Sequence, residues 1–284
     1  LGGDLRHTSG RTQELYTYVA GIPTRRRSAG GETLAGGLFA DLSLERGPLA
    51  LGAGGRVDRW TISNGSLFEA PLAGGSPLTD ARFADRSGWE ASGRAGIAVK
   101  LAPAVSIRSA AYTGWRLPTL NELYRPFRAG TDATAANPLL DPERLAGTEV
   151  GIDLTPTPTL TLSATGYWNR IRNAIGNVTL GTGPGNFPGV GFVAAGGAYR
   201  QRLNLDAIVA KGIEADLRWR SGPWRAGASW AFTDARVEAS GPAAALDGMR
   251  PAQVARHQAS ANLGWARGRT LVSVTGRYIA PQFE

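Results

Sequence analysis

The sequence predicts an all-β protein: an antiparallel, up-and-down transmembrane β-barrel of which about eleven strands are present. Three observations predict it. Apolar and polar residues alternate with a period of two along most of the chain, the mark of strands with one apolar and one polar face. Most of these runs exceed the ~5–6 residues usual in soluble strands and suit membrane-barrel strands of ~9–11 residues or more. The connections between runs alternate without a break between long and short.

Taken in order, the runs are 3–15, 32–46, 48–63, 87–102, 105–115, 147–155, 159–175, 208–221, 223–238, 256–266 and 269–280. The first is the weakest. The run at 87–102 is clear: Trp89, Ala91, Ile97 and Val99 alternate with Glu90, Ser92, Arg94 and Lys100. In the run at 208–221, Ile213, Ala215, Leu217 and Trp219 alternate with Glu214, Asp216, Arg218 and Arg220. The runs at 159–175, 223–238, 256–266 and 269–280 repeat the pattern, and those at 32–46 and 48–63 follow it more loosely.

The long connections span 16–31, 64–86, 116–146, 176–207 and 239–255. The short ones fall at Gly47-Pro48, Ala102-Pro-Ala104, Pro156-Thr-Pro158, Gly222 and Arg267-Gly268. Every second connection of a meander lies at the same end, so the short turns share one end and the long loops the other. Outer-membrane barrels have this asymmetry. The apolar faces mix small residues with aromatics near strand ends, namely Trp89, Trp168, Trp219, Phe232, Trp265 and Tyr278. That suits a lipid-facing band between aromatic girdles. Eleven strands cannot close an antiparallel barrel whose termini share a side, so a fragment of a larger barrel is expected, with two open edges.

Composition narrows the function classes. No stretch approaches the ~18 apolar residues of a membrane helix. With no cysteine, disulfides and thiolate chemistry are excluded. The net charge is +8, carried almost wholly by arginine, since Lys100 and Lys211 are the only lysines. Such a balance suits an anionic partner or a solvated surface. The chain opens at Leu1-Gly-Gly without a signal peptide and stops at Pro281-Gln-Phe-Glu284, so both ends read as cut from something longer.

Catalytic chemistry finds no footing. His7 and His257 lie far apart, without partners at metal-ligand spacing. There is no nucleophile elbow and no Ser–His set. The glycine-rich stretch 181–197 lacks the strand–loop–helix setting and the lysine of a phosphate cradle, and reads as a long mobile loop. No enzyme activity, cofactor or metal is expected. Basic residues gather in the long connections, with Arg25, Arg26, Arg27, Arg125 and Arg128 the candidates for holding an anionic ligand or lipopolysaccharide. Nucleic acid is not expected, because the aromatics lie on the opposite parity from many of the charges.

One stretch is diagnostic. Gly114-Trp-Arg-Leu-Pro-Thr-Leu-Asn-Glu-Leu-Tyr124 closely resembles the arginine–proline–threonine, then asparagine–glutamate–leucine–tyrosine signature of TonB-dependent outer-membrane receptors. Its matching residues are Arg116, Pro118, Thr119, Asn121, Glu122, Leu123 and Tyr124. Downstream, Asn137, Pro138, Leu140, Pro142 and Glu143, then Glu149 and Gly151, look like the family's continuation. Gly30-Gly31-Glu32, Gly55-Arg-Val-Asp58, Tyr167-Trp-Asn169 and Lys211-Gly-Ile-Glu214 resemble further strands in the family's order. Leu117 departs from the usual alanine.

The resemblance implies a partial barrel domain over residues 1–284, about half of a 22-stranded barrel. The plug domain and the final strands are outside it. It implies a receptor and transporter in the bacterial outer membrane, taking up a scarce ligand such as a ferric siderophore, haem, cobalamin or a sugar. The implied partners are its own plug domain, the TonB energy-transducing complex, the ligand, and outer-membrane lipid or lipopolysaccharide. A passive porin-like channel is the alternative. The motif residues are expected to tie down the base of a loop at the outer rim rather than to do chemistry, with Pro118 ending the strand pairing.

Overall fold

A computed structural model describes residues 1–283. One large antiparallel sheet carries the chain. Its strands are β1 (Gly2–Val19), β2 (Ile22–Arg46), β3 (Leu49–Pro71), β5 (Arg86–Ala102), β6 (Val105–Arg116), β9 (Glu143–Thr157), β10 (Leu160–Arg172), β15 (Ala207–Ser221), β16 (Trp224–Glu238), β17 (His257–Arg267) and β18 (Thr270–Ile279). All eleven expected runs are strands, each paired with the next along the path. The short strand β4 (Thr79–Arg82) adds to β3. The sheet does not close: β1 and β18 are its two edges.

The pairing sorts the faces. On one face Leu38 opposes Val57, Leu217 opposes Ala228, and Ala215 opposes Trp230. The other face is tied by charge. Arg56 bridges Asp4 (2.6 Å) and Asp58 (2.5 Å), Arg94 meets Asp41 (2.8 Å), and Arg108 meets Asp153 (3.2 Å). On the apolar face, Trp224 opposes Trp265 just above the short turns, and Phe232 lies eight positions further along β16. Eight residues at ~3.3 Å each put these aromatic tiers ~26 Å apart along the strand, or ~20 Å in height at a tilt of ~40°. That approaches the ~25 Å apolar band of an outer-membrane barrel.

The long-loop end is more ordered than the sequence suggests. Residues 16–31, expected as a loop, are strand. β1 and β2 pair from Gly2↔Phe39 up to Val19↔Ile22 and turn at Ala20-Gly21. Both turn residues have positive φ (48° and 81°), the twist a two-residue hairpin needs. Ala-Gly lacks the asparagine or aspartate that usually announces such a turn. The segment 64–86 is likewise partly strand, since β3 runs on to Pro71 and β4 folds back on it. At 25 residues and ~3.3 Å each, β2 extends ~80 Å, far more than the ~30 Å hydrocarbon core.

Two further long connections fold jointly. The first holds α1 (Leu120–Tyr124), β7 (Phe127–Ala129) and β8 (Asp132–Ala135). The second holds β11 (Ile175–Thr182), β12 (Gly185–Phe187), β13 (Gly191–Val193) and β14 (Ala198–Asn204). They merge into one small sheet, β11-β14-β8-β7, in which β14 and β8 run parallel. The glycine-rich stretch 181–197, expected as a mobile loop, contains the β12–β13 hairpin. The last connection contains a short 3-10 helix, Gly241–Leu246. The packed core sits at this end: Trp60, Ile62, Leu67, Leu123, Tyr124 and Leu140 form one buried cluster.

Candidate functional site

The diagnostic stretch lies where β6 ends and the loop sheet begins. Strand pairing stops at Arg116↔Glu143. Pro118, fully buried, has no N–H to continue a ladder. Thr119 then caps α1 in extended geometry (φ −71°, ψ 155°). The Glu122 N–H donates to Thr119 Oγ1 (3.2 Å), and the Thr119 N–H donates to Glu122 Oε2 (2.7 Å). This reciprocal capping box fixes the direction of a five-residue helix that has little stability of its own.

Arg116 is the hub. Its guanidinium donates to both Glu122 oxygens (3.0 and 3.2 Å) and, through Nε, to Glu143 Oε2 (2.5 Å). Glu143 Oε1 accepts the N–H of Ile175, the first residue of β11 (2.7 Å). One arginine thus links the end of β6, helix α1, the start of β9 and the second loop. Burial opposes ionisation of Glu122, but the bonds from Arg116 and Thr119 outweigh it and hold its carboxyl below the usual value.

The remaining motif residues have packing or anchoring roles. Leu123 and Leu140 are completely buried, and Tyr124 nearly so. The Tyr124 ring stacks on Phe83 at 5.1 Å and lies against Gly31 and Gly65, where side chains would collide with it. Asn137 donates to the Arg202 carbonyl (2.9 Å) and accepts the Leu139 N–H (3.0 Å). Arg86 collects the carbonyls of Pro138 (2.9 Å) and Leu140 (2.8 Å). Pro142 is buried. Asn121 contributes its carbonyl, which accepts from Arg202 (2.8 Å). Further down, Glu149 pairs with Arg108 (3.5 Å), and Gly151 leaves the space that guanidinium fills: a Cβ there would lie 2.7 Å from its Cζ.

The five candidate arginines divide. Arg25, Arg26 and Arg27 lie in β2, not in a loop. Arg27 is buried, donates to Glu69 (2.6 Å) and the Pro126 carbonyl (2.8 Å), and stacks on Tyr16. Arg125 donates to Glu14, which holds it firmly protonated. Arg128 donates to the Val190 (2.5 Å) and Phe192 (2.8 Å) carbonyls. Burial, then the charges of Arg27 and Arg25, push its guanidinium below its usual value. Arg26 is exposed over Phe68. Arg27, Arg125 and Arg128 therefore brace the loops, while Arg25 and Arg26 make no salt bridge among the described residues.

Beneath the motif lies a cavity of about 860 Å³. Its wall combines Arg6, Thr8, Arg56 and Asp58 from the polar face with Trp115 and Arg116 from the end of β6. Asp58 is buried and accepts from Arg56 and from Trp115 Nε1 (3.1 Å). Sequence reasoning met Arg56 and Asp58 only within a strand resemblance, and it did not single out Arg86. The i, i+2 spacing of Arg56 and Asp58 on one strand face was the available signal for the first pair. Among the described residues no group of three metal-ligating side chains comes together. No helix there is long and apolar enough to cross a membrane, which says nothing of strands.

A large meander with tight turns at one end, and loops locked over a cavity at the other, defines a segment of a loop-capped antiparallel β-barrel. The chain matches the family described as TonB dependent receptor-like, beta-barrel, over residues 1–283, and it belongs to that family. Among solved structures it resembles the ferric yersiniabactin uptake receptor FyuA from Yersinia pestis (TM-score 0.70, 15% identity, 99% of this chain and 39% of that one). It also resembles the copper transporter OprC (0.66, 17%, 99% and 45%). A third is a double mutant of the Serratia marcescens hemophore receptor HasR in complex with its hemophore HasA and heme (0.65, 16%, 97% and 51%). At these identities the likeness is one of fold. The chain spans about half or less of each of these proteins. No curated protein gives a significant match.

Proposed function

We propose that this chain is the loop-bearing part of an outer-membrane receptor that takes up a scarce ligand, most simply a ferric siderophore, with energy delivered through the TonB complex. The observation that carries the reading is the Arg116 hub. It fuses two long connections into a braced unit directly above a polar cavity, the arrangement needed to catch a ligand outside and pass it inward. Arg25 and Arg26 supply cationic groups that have no acid partner among the described residues, suited to an anionic chelate. Relatives in fold that handle yersiniabactin-bound iron, heme and copper support metal-related cargo. The receptor's own plug domain would fill the polar interior and rearrange to release the ligand. The apolar face would contact outer-membrane lipid.

The test is uptake of radioactive iron, presented as ferric siderophores of several classes, by cells carrying the complete receptor. Uptake should require the proton-motive force and fall when Arg25 and Arg26 are both changed to glutamate. Uptake that persists after the proton-motive force is collapsed would mean a passive channel instead. No saturable uptake of any ferric siderophore would remove that ligand class.

A further inference from the structure

Arg128 carries a charge that its bracing role leaves unmet. Its bonds to the Val190 (2.5 Å) and Phe192 (2.8 Å) carbonyls both come from Nη2, so Nε and Nη1 are left over. Among the described residues these are the only side-chain hydrogen bonds that reach the β12–β13 hairpin from another element. The acceptors are neutral, and Arg128 makes no salt bridge among the described residues. A half-buried guanidinium is thus solvated by two carbonyls alone.

Two more guanidiniums stand beside it. Arg25 and Arg27 share one face of β2, about 7 Å apart along the strand. Arg27 donates to the Pro126 carbonyl (2.8 Å), and Arg128 lies two residues further on, in β7. Tyr16, opposite Arg25 in the register, has the Arg27 guanidinium over its ring (4.1 Å). The charges of Arg27 and Arg25 both act on Arg128 and, with burial, disfavour its cation. The nearby acids are already engaged. Glu69 takes Arg27 (2.6 Å) and Thr79 (3.1 Å), and Glu14 takes Arg125 (3.0 Å) and, at 3.6 Å, Arg27. Arg25 and Arg128, both half-buried, are left without a carboxylate among the described residues. Neighbouring guanidiniums without counter-charge are matched by an anion that offers adjacent oxygens.

We propose that Arg25 and Arg128 form one anion seat, and that Arg128 couples its occupancy to the order of the β12–β13 hairpin. Nη2 stays on the hairpin carbonyls while Nε and Nη1 take the anion. The occupant is the charged edge of a metal chelate whose donors are catecholates or carboxylates; a neutral hydroxamate chelate brings no charge to match. This deepens the uptake reading given above and rests on it. An anion in the seat offsets the repulsion that Arg25 and Arg27 exert on Arg128, so its hold on Val190 and Phe192 strengthens. The hairpin is suited to respond. Val190 and Val193 join a small buried cluster with Ala133, Ala135 and Tyr199, and Phe187 stacks on Tyr199 (4.6 Å). The root is tied by the Gly183 N–H to the Gly197 carbonyl (2.9 Å). So short an element on so small a patch opens locally at little cost. Linkage is reciprocal: whatever the anion adds to the hairpin's order, the ordered hairpin adds to the anion's affinity.

The complete receptor in mild detergent tests it with two probes, a trianionic ferric tris-catecholate and a neutral ferric trihydroxamate. Binding is read from retained radioactive iron, and hairpin order from amide exchange over residues 185–193. The tris-catecholate should slow that exchange by roughly 5- to 50-fold, and the trihydroxamate should leave it unchanged. Arg25→Gln should weaken tris-catecholate binding by roughly 10-fold, while the hairpin of the empty receptor exchanges at its native rate. Arg128→Met should weaken binding, speed exchange in the empty receptor, and abolish the slowing by bound chelate. Arg25→Gln keeps the test open if Arg128→Met folds poorly. Bound tris-catecholate with unchanged exchange overturns the coupling. Undiminished binding in Arg25→Gln overturns the seat. A receptor that binds the neutral chelate alone, or neither probe, overturns the anionic class. Loss of energy-driven iron uptake with binding and slowing intact overturns the transport reading and leaves the coupled seat standing.

Discussion

Arg27 and Glu69 form a buried ion pair between neighbouring strands, with Nε 2.6 Å from Oε1 and both side chains less than one-tenth exposed. The register places them directly opposite each other, and Glu69 also accepts from Thr79 on β4 (3.1 Å). Truncating one member strands the other charge in a buried site, which typically costs ~3–5 kcal/mol. Arg27→Ala should therefore lower the unfolding free energy of the loop end by about that amount, read as earlier loss of folded mobility on a heated gel. Arg27→Met with Glu69→Leu should recover most of the loss, since a matched apolar pair removes both charges together. A double variant as unstable as the single one would show that the pair does more than neutralise itself.

Tyr124 and Gly65 are matched in shape. The tyrosine ring occupies the space a side chain at Gly65 would need, and at Gly31 an added Cβ would lie 2.8 Å from the ring. Gly65→Ala should displace the ring from Phe83 and cost on the order of 1–3 kcal/mol by overpacking. Tyr124→Ala should cost ~3–5 kcal/mol by leaving a cavity. Combining the two should cost clearly less than the sum of the singles. Strict additivity in thermal unfolding would refute the contact.

Much of this was legible in the sequence, for physical reasons. The eleven strands announce themselves because a two-residue period and one apolar face leave few alternatives. The hub residues Arg116, Glu122 and Glu143 are visible as a motif, though not as a triad, because their meeting depends on how two distant segments close. What stayed hidden is tertiary. The β1–β2 hairpin turns at Ala20-Gly21, a pair with no strong turn signature, so its upper third reads as loop. The parallel contact of β14 with β8 joins segments about 65 residues apart and leaves no local pattern. Arg27 reads as a ligand-facing loop charge, and only the pairing with Glu69 reveals it as buried.

Acid should loosen the loop end before the main sheet. The folded-state value of Glu122 lies below its ordinary 4.5, so its bonds contribute fully above that pH and are lost as pH falls through the lower folded value. Asp132 behaves alike: the Ala198 N–H (2.8 Å) and then Arg200 (2.7 Å) keep its carboxyl below the usual range. A fluorotyrosine in place of Tyr124 should report a new environment as the pH drops below about 4.5, while far-ultraviolet circular dichroism keeps its strand signal. Glu122→Gln should remove the part of that transition that Glu122 supplies and leave the Asp132 part.

Arg202 couples the two long connections through the C-terminal end of α1. It extends from β14, stacks on Phe127, and donates to the carbonyls of Asn121 (2.8 Å) and Arg125 (3.0 Å). The Asn121 carbonyl also accepts the Arg125 N–H (3.2 Å), the Arg125 carbonyl lies just past the helix, and a cation at a helix C-terminus is favourable. Burial pushes the Arg202 guanidinium below its usual value, yet no ordinary pH deprotonates it, so the charge stays in place. Arg202→Met would keep most of the apolar stem over Phe127 and lose both bonds. The two loops should then separate in their dynamics: amide exchange at Leu123 and Tyr124 should quicken by roughly 10-fold for each ~1.4 kcal/mol of anchoring lost, and protease should cut near Gly130 sooner. Arg202→Lys should fall between the two: both bonds come from Nη1, whose place one ammonium nitrogen can take, but an ammonium does not lie flat on Phe127 as the planar guanidinium does. If Arg202→Met protected α1 as well as the native arginine does, the link between the loops would run through the β14–β8 pairing, Asn137 and Glu143 instead.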